Sequence, residues 1–300
     1  MEAERSTPTL SSRRSARYPH PDRSPGIVQQ HQPLIITVAA IGAELTRAEQ
    51  PQLPITPEEL AADAAACEAA GASIYHLHVR DRDARPTMDP EAFRAARAAI
   101  TAVSDVIVQF TSGGAVGDDE SARLAPLELR PEMATLTTGT VNFGADVFWN
   151  PAPLVARFYR RMRELGVLPE FEIFEGGMIA NALSLTGPDP DHHLHFDLVL
   201  GVPGALPAWD EAIPFLSGKL PAGATWSATG IGKSHLAVTR AAIELGGHVR
   251  TGFEDVLFFE RGRRAVSNAQ LIGRVAGMAR AAGRRVASPD DARALLGLAG

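Results

Sequence analysis

The segment at residues 72–79 places two histidines at a spacing that suits metal binding. It reads Ala-Ser-Ile-Tyr-His-Leu-His-Val, an apolar run typical of a buried β-strand, and its imidazoles belong to His76 and His78. Side chains two residues apart on a strand point the same way, so both rings face one side. Buried imidazoles need partners for their ring nitrogens and cannot both be protonated cheaply. A Zn²⁺ ion meets both needs, and a hydrogen-bonded pair of core histidines is the alternative.

A second group of charged residues closes the last strand-like run, at residues 247–255. Arg250 and Glu254 share strand parity there, so on a continuous strand both face the same way, and Asp255 follows directly. The Glu254 carboxylate would complete a set of two histidines and one glutamate. Such a set leaves one coordination position open, as a catalytic zinc ion requires.

Strands and helices must position these side chains. From Leu34 onward the chain alternates regularly between strand-like and helical patterns. Strand-like apolar runs occupy residues 34–41, 73–79, 106–111, 132–138, 170–174, 195–200, 224–229 and 248–254. Helical patterns occupy residues 57–70, 90–103, 151–165, 174–182, 234–245 and 268–281, and another begins at Ser288. Eight strands alternating with helices predict an α/β fold, a (β/α)8 TIM barrel formed by residues 33–300. No glycine-rich nucleotide-binding motif follows a strand.

The arginine-rich N-terminal segment, residues 1–32, differs from the rest. Arginines alternate there with serine and proline, and no apolar periodicity is present. Such a composition cannot bury enough surface to offset the entropy of ordering, which predicts a disordered or extended segment.

Composition limits the classes of partner and location. The chain has 45% hydrophobic and 21% charged residues and a formal net charge of −6. These values predict a globular protein with no nucleic acid and no anionic membrane surface as partner. No apolar run is long enough to span a bilayer. The single cysteine, Cys67, excludes an intrachain disulfide and is consistent with a reducing cytoplasm.

In a TIM barrel the chemistry lies at the carboxyl ends of the strands, and polar residues gather there in this sequence. Glu44 follows the first strand, Ser112 and Gly113 follow the third, and Glu172 lies on the fifth. Three histidines precede strand six at the opposite end, and we interpret them as surface or structural residues: His192, His193 and His195.

Several long stretches resemble one known family, the β-keto acid cleavage enzymes, whose prototype cleaves 3-keto-5-aminohexanoate. The resemblance runs in order from about Leu34 to the C-terminus. The matching stretches include 41–44 (IGAE), 53–59 (LPITPEE), 71–81 (GASIYHLHVRD), 123–134 (RLAPLELRPEMA), 200–204 (LGVPG), 221–227 (PAGATWS) and 246–255 (GGHVRTGFED).

The resemblance implies a TIM barrel, usually a homotetramer, that exchanges acyl groups between a β-keto acid and acetyl-CoA. The products are acetoacetate and a new acyl-CoA. Carried over, zinc would be bound by His76, His78 and Glu254. Arg250 and Asp255 would form a catalytic charged pair held by Glu172. The substrate carboxylate would lie at Ser112 and Gly113 with a strand-four threonine, Thr135 by spacing or alternatively Thr138.

Two expectations concern charge at this site. Arg250 should lower the pKa of Asp255 and make it a poor base, so desolvation or Glu172 must offset the arginine. Glu44 matches the position that meets a substrate ammonium group, which predicts a cationic keto acid such as 3-keto-5-aminohexanoate or dehydrocarnitine. The alternative is that Glu44 pairs with Arg47 or Arg80.

Two other functions stay open from the residues alone. One is a zinc-dependent barrel hydrolase of the amidohydrolase type, which also carries two histidines on a strand but places them on the first strand and adds further histidines on later ones. The other is a non-catalytic metal-binding or sensor barrel.

Overall fold

Eight parallel strands close into a barrel in the computed structural model, which describes residues 32–188 and 190–298. Each strand pairs with the next along the chain, and the last pairs with the first, so the predicted (β/α)8 fold is confirmed. The strands are β1 (Ile36–Ala39), β2 (Ile74–Leu77), β3 (Ile107–Phe110), β4 (Met133–Thr137), β5 (Leu168–Ile173), β6 (His195–Leu200), β7 (Thr225–Gly230) and β8 (His248–Thr251). The prediction for the N-terminal segment falls, apart from residue 32, outside the described residues.

Helices surround the barrel, and seven of the nine described ones lie at the predicted places. They are α1 (Pro57–Ala70), α2 (Pro90–Thr101), α3 (Glu120–Leu124), α4 (Ala152–Leu165), α5 (Gly176–Thr186), α6 (Ala212–Ser217), α7 (His235–Glu244), α8 (Asn268–Ala281) and α9 (Pro289–Leu296). Thr56 caps α1 in a capping box with Glu59, which accounts for its sharp start. The short helices α3 and α6 were not predicted, because five or six residues are too few to show helical periodicity.

The amino-terminal end of the barrel is closed by an apolar plug. Ile35, Ile74 and Ile107 pack there with Leu296 of α9. His195 lies just inside this end, fully buried, with its Nε2 3.1 Å from the Glu170 carboxylate. Of the two alternatives for His195, surface or structural, the structure therefore supports the structural one.

The last strand ends earlier than predicted. The apolar run suggested a strand to residue 254, but β8 ends at Thr251 and the chain then turns. The backbone N–H groups of Asp255 and Val256 both donate to the carbonyl oxygen of Gly252. Gly252 lies against β1, where a Cβ would come within 2.0 Å of the Ala39 oxygen, so only glycine fits. The residues 252–256, here called the Glu254 turn, therefore curl back over the barrel mouth.

Two small hairpins flank that mouth, besides a short one after β2 that pairs Val79–Arg80 with Pro86–Thr87. One pairs Val141–Phe143 with Asp146–Phe148, and the other pairs Phe258–Glu260 with Arg263–Arg264.

No helix within the described part of the chain combines the length and apolar character needed to cross a membrane.

Candidate active site

Three side chains that could hold a metal ion, here called the metal-ligating side chains, converge at the carboxyl end of the barrel. His76 on β2 and His78 just after it lie on the same side, with ring centroids 5.1 Å apart. The Nε2 atoms of both rings lie 3.8 Å from one oxygen, Oε2 of Glu254. That oxygen is buried and has no hydrogen-bond partner among the described residues. A buried carboxylate oxygen facing two imidazole nitrogens is costly unless a cation lies between them, so the donor set fits a divalent metal.

A neighbouring strand fixes the orientation of the first imidazole. Gln109 on β3 is in register with His76, and its Oε1 lies 2.7 Å from Nδ1 of the ring. Because the amide oxygen only accepts, Nδ1 carries the proton and Nε2 keeps its lone pair toward Glu254. Burial, the largest influence, lowers the pKa of both histidines, to about 3 for His78. Both rings are therefore neutral at pH 7, the form that binds a metal.

Glu254 reaches this position from a turn and not from a strand. The strand-parity argument for it was wrong, since β8 ends at Thr251, but the Glu254 turn carries the side chain back to the mouth. Gly42 at the end of β1 has φ +60, and a Cβ there would lie 2.7 Å from Cγ of Glu254. The absence of a side chain at Gly42 thus makes room for the third metal-ligating side chain.

Arg250 lies among three carboxylates beside the metal-ligating groups. Its Nη2 and Nε donate to the two oxygens of Asp255 at 3.0 and 3.2 Å. Its Nη2 also donates to Oε1 of Glu254, and its Nη1 lies 3.5 Å from Oε1 of Glu172. The structure therefore brings together all three residues expected to form the catalytic charged group.

Burial and neighbouring charges give these three carboxylates different pKa values. Burial raises the pKa of Asp255 to about 7, although Arg250 opposes the shift, and the nearby Glu254 carboxylate adds to it. Burial likewise raises the pKa of Glu172 to about 7 against the effect of Arg250. For Glu254, burial is the largest influence and raises the pKa, but Arg250, His76 and His78 together outweigh it, and the pKa falls to about 2. At Asp255, desolvation thus outweighs the effect of the arginine on the pKa, as expected. The negative charge that assists it is that of Glu254 and not that of Glu172.

These groups open into one cavity of about 1190 Å³. Its wall contains the three metal-ligating residues, the Arg250 group and, from the two hairpins, aromatic side chains that include Phe148 and Phe258. A polar base beneath largely apolar walls is the usual composition of a small-molecule site.

The residues expected to seat a carboxylate are only partly on this wall. Gly113 and Thr111 line the cavity. Ser112 instead turns its hydroxyl to the backbone oxygen of Thr135 at 2.6 Å, and the Thr135 hydroxyl accepts from the Ser112 N–H at 3.3 Å. Both are buried, so they shape the loop that presents Gly113. The alternative threonine, Thr138, donates to the Met178 oxygen.

Glu44 is exposed and lines the mouth of the cavity. Of the expected alternative partners, Arg47 pairs with Glu59. Arg80 donates to the backbone oxygens of Gly42, Ala43 and Leu45, and the Glu44 carboxylate lies near enough to oppose the lowering of the Arg80 pKa by burial. Among the described residues Glu44 has no ion-pair partner, and its Oε1 accepts only from the Val116 N–H at 3.3 Å.

Sequence reasoning assigned no role to three buried polar residues that support the site. Gln109 orients His76, Thr137 donates to Glu172, and Asp197 accepts from the hydroxyls of Ser227 and Thr229. Each lies across from a partner on a neighbouring strand. Strand register was the missing information, and it is not visible in a single sequence.

Comparisons with known proteins agree with this geometry. Residues 33–298 match the family model described as beta-keto acid cleavage enzyme. The chain is 45% identical over 268 residues to a 3-keto-5-aminohexanoate cleavage enzyme of Fusobacterium nucleatum, covering 88% of this chain and 98% of that protein. It is 38% identical to a 3-oxoadipate:acetyl-CoA acetyltransferase of Cupriavidus necator, covering 89% and 95%.

Among solved structures the barrel resembles the apo structure of ObcA. The TM-score is 0.71 at 19% sequence identity, with 83% of this chain and 66% of that chain covered, a likeness that concerns the fold alone. The match of the family model over the whole barrel, and the identity to relatives of nearly the same length, confirm the resemblance seen in the sequence: the chain belongs to the β-keto acid cleavage enzyme family.

Proposed function

We propose that this protein is a zinc-dependent acyltransferase that converts a β-keto acid and acetyl-CoA into acetoacetate and a new acyl-CoA. The observation that carries the proposal is the convergence of His76, His78 and an unpartnered oxygen of Glu254 at the base of the cavity. The family membership of the chain supports the reaction class.

The donor set supports the choice of metal. Two neutral imidazole nitrogens and one carboxylate oxygen, mutually within 4.8 Å, form a set that zinc prefers and that leaves a position open to substrate. When bound, zinc supplies Lewis-acid stabilisation of negative charge on a substrate oxygen.

The chain's own residues supply proton transfer and positioning. With a pKa near neutrality, the Asp255 carboxylate is suited to take a proton from the carbon between ketone and carboxylate of the keto acid. Arg250 holds Asp255 by two hydrogen bonds and is itself held by Glu172. The loop of Ser112 and Gly113, shaped by Thr135, is the proposed seat of the substrate carboxylate.

The size and charge of the cavity support the two substrates. About 1190 Å³ exceeds the space that a six-carbon keto acid fills, which leaves room for the acetyl end of acetyl-CoA. The unpaired Glu44 at the mouth favours a keto acid with a positive group, of the 3-keto-5-aminohexanoate or dehydrocarnitine type.

The proposal is tested by incubating the purified protein with 3-keto-5-aminohexanoate and measuring acetoacetate with and without acetyl-CoA. We expect acetoacetate only when acetyl-CoA is present, together with an equal amount of new acyl-CoA. Removing metal with a chelator should abolish turnover, and added zinc should restore it. His76→Ala should lose both zinc and activity, whereas His193→Ala, at the opposite end of the barrel, should keep both.

Acetoacetate formed without acetyl-CoA would contradict the acyl-transfer reaction. A hydrolase of the amidohydrolase type would release products without CoA, but it would also bring further histidines to the metal. Among the described residues the only such group is formed by His76, His78 and Glu254. A non-catalytic barrel would give no product under either condition.

The proposal extends to assembly and location. We propose a homotetramer, by the family resemblance, and exposed apolar side chains such as Trp149 and Trp209 (67% and 62% exposed) are consistent with subunit contacts. A cytoplasmic location is proposed from the single cysteine, Cys67, which is buried and free.

A further inference from the structure

Asn268, the first residue of α8, ties three segments together outside the barrel. It is fully buried. Its Oδ1 accepts from the N–H of Phe253 at 2.8 Å, and its Nδ2 donates to the Ala40 oxygen at 3.1 Å and to Oδ2 of Asp63 at 3.0 Å. Turning the amide over would set its oxygen against two acceptors, so this orientation is the one the site permits.

Asp63 on α1 continues the connection to the strand of the histidines. The same oxygen that accepts from Asn268 also accepts from the hydroxyl of Tyr75 at 3.0 Å. Tyr75 lies on β2 directly before His76 and points to the opposite face. Phe253 directly precedes Glu254. The chain of hydrogen bonds therefore runs from the residue before one metal-ligating side chain to the residue before another.

We propose that Tyr75, Asp63 and Asn268 form an outer brace that positions the Glu254 turn relative to the strand carrying His76. The inference rests on the proposed function, because it assigns these residues to the geometry of the proposed metal site. They are positioning residues, since they lie on the far side of the strands and none lines the cavity.

The local structure explains why such a brace is needed. The Glu254 turn begins where β8 ends, so ladder hydrogen bonds no longer fix its backbone beyond Thr251. The N–H of Glu254 donates to the Ala39 oxygen at 3.2 Å, and the N–H of Phe253 has the Asn268 side chain as its partner. Loss of Asn268 leaves that buried N–H unsatisfied and releases the turn at the residue before the metal-ligating one.

The experiment compares Asn268→Ala and Tyr75→Phe with wild type by two measurements. The first is amide hydrogen exchange of the peptide spanning residues 252–256 in metal-free protein. The second is the zinc dissociation constant, measured by competition with a chromophoric chelator. Asn268→Ala should speed the exchange at least about 10-fold and raise the zinc dissociation constant about 10- to 100-fold, as when groups behind metal ligands are removed. Tyr75→Phe should change both values in the same direction by less.

Ser73→Ala is the matched control. The Ser73 hydroxyl is buried directly before the same strand and donates to the Ala287 oxygen at 2.7 Å, but it lies at the opposite end of the barrel. It should lower the thermal unfolding midpoint and leave both measurements unchanged. The brace is overturned if Asn268→Ala lowers the midpoint as Ser73→Ala does and changes neither exchange nor zinc affinity.

Two further outcomes are also decisive. If Asn268→Ala does not fold, Tyr75→Phe, which removes only one hydroxyl, decides the question by the same two values. If wild type binds no zinc, the proposed function fails, and the exchange of the 252–256 peptide in metal-free protein still confirms or overturns the brace.

Discussion

At the scale of single residues, the acidity of the site depends on Arg250. One buried guanidinium faces three carboxylates, yet the pKa values of Asp255 and Glu172 are raised while that of Glu254 is lowered. The arginine lowers the pKa of all three, so the balance of burial and the other neighbouring charges, which for Glu254 include His76 and His78, decides which of them stays ionised. Glu254 is the most exposed of the three, with 20% of its side chain accessible, and it keeps its charge. The ionised carboxylate is therefore the one that faces the histidines.

Glu44 gives the first prediction at this scale. Glu44→Gln should lower the preference for a cationic over a neutral keto acid of matched length. Since Glu44 is exposed to water at the mouth, the change should be about two- to fivefold, the range for exposed charge pairs. This is smaller than expected for a carboxylate in a dry pocket. The measurement is the ratio of kcat/KM values for the two substrates in each variant.

Glu49→Gln is the control for Glu44, because Glu49 is a second exposed carboxylate on the same wall and is engaged with Thr46. It should leave the substrate ratio at its wild-type value. An equal change in both variants would show a general effect of negative charge at the mouth and would remove Glu44 from substrate selection.

At the scale of elements, the histidine pair was predictable and the Glu254 turn was not. His76 on a four-residue strand and His78 directly after it, both with apolar neighbours, have their geometry set by the alternation of side chains. The segment at 248–254 has a similar apolar pattern, but it turns at Gly252 because β1 lies too close for any side chain there. That contact joins residues 39 and 252, so local sequence cannot reveal it. The sequence indicated which carboxylate faces the histidines, but not the backbone that carries it.

The close contact between Gly42, which follows β1, and Glu254, which follows β8, gives a prediction at this scale. Gly42→Ala should weaken zinc binding at least about 10-fold, because the new methyl group meets Cγ of Glu254 and the backbone at φ +60 disfavours alanine. Gly166→Ala is the control, since Gly166 ends α4 at φ +73 and a Cβ added there would meet no atom within 4 Å. Both variants carry the backbone cost of positive φ.

Zinc titration and thermal unfolding separate the two effects. We expect both glycine variants to unfold at lower temperature than wild type and only Gly42→Ala to bind zinc more weakly. Equal zinc affinity in the two variants would show that the Glu254 side chain can move away from a methyl group at residue 42. It would contradict the close contact between Gly42 and Glu254.

At the scale of the whole molecule, the barrel interior holds more carboxyl groups than the site uses. Asp197 on β6 is in register with Glu172 and fully buried. Burial, with Glu170 nearby, raises its pKa to about 6. The folded protein therefore holds a proton on Asp197 at pH values where the unfolded chain has released it, so this stabilisation is lost as the pH rises through about 6.

Asp197→Asn should accordingly flatten part of the pH dependence of stability. Between pH 5 and pH 7.5 the wild-type free energy of unfolding should fall by about 1–1.5 kcal/mol more than that of the variant. Denaturant unfolding of metal-free protein at the two pH values measures the difference. Asp290→Asn, with a side chain 96% exposed, is the control and should behave as wild type. Parallel curves for Asp197→Asn and wild type would contradict the assignment of this buried proton.

The closure of the barrel has a consequence for how the protein is made. The metal-ligating groups meet where the last strand joins the first, with β1 between the histidines and the Glu254 turn. A ribosome releases residues 76 and 78 long before residue 254, and domains tend to fold as they emerge. A nascent chain therefore carries the histidine pair without its carboxylate until nearly the whole barrel is synthesised. A chain that stops before residue 254 lacks the Glu254 carboxylate and cannot form the proposed site.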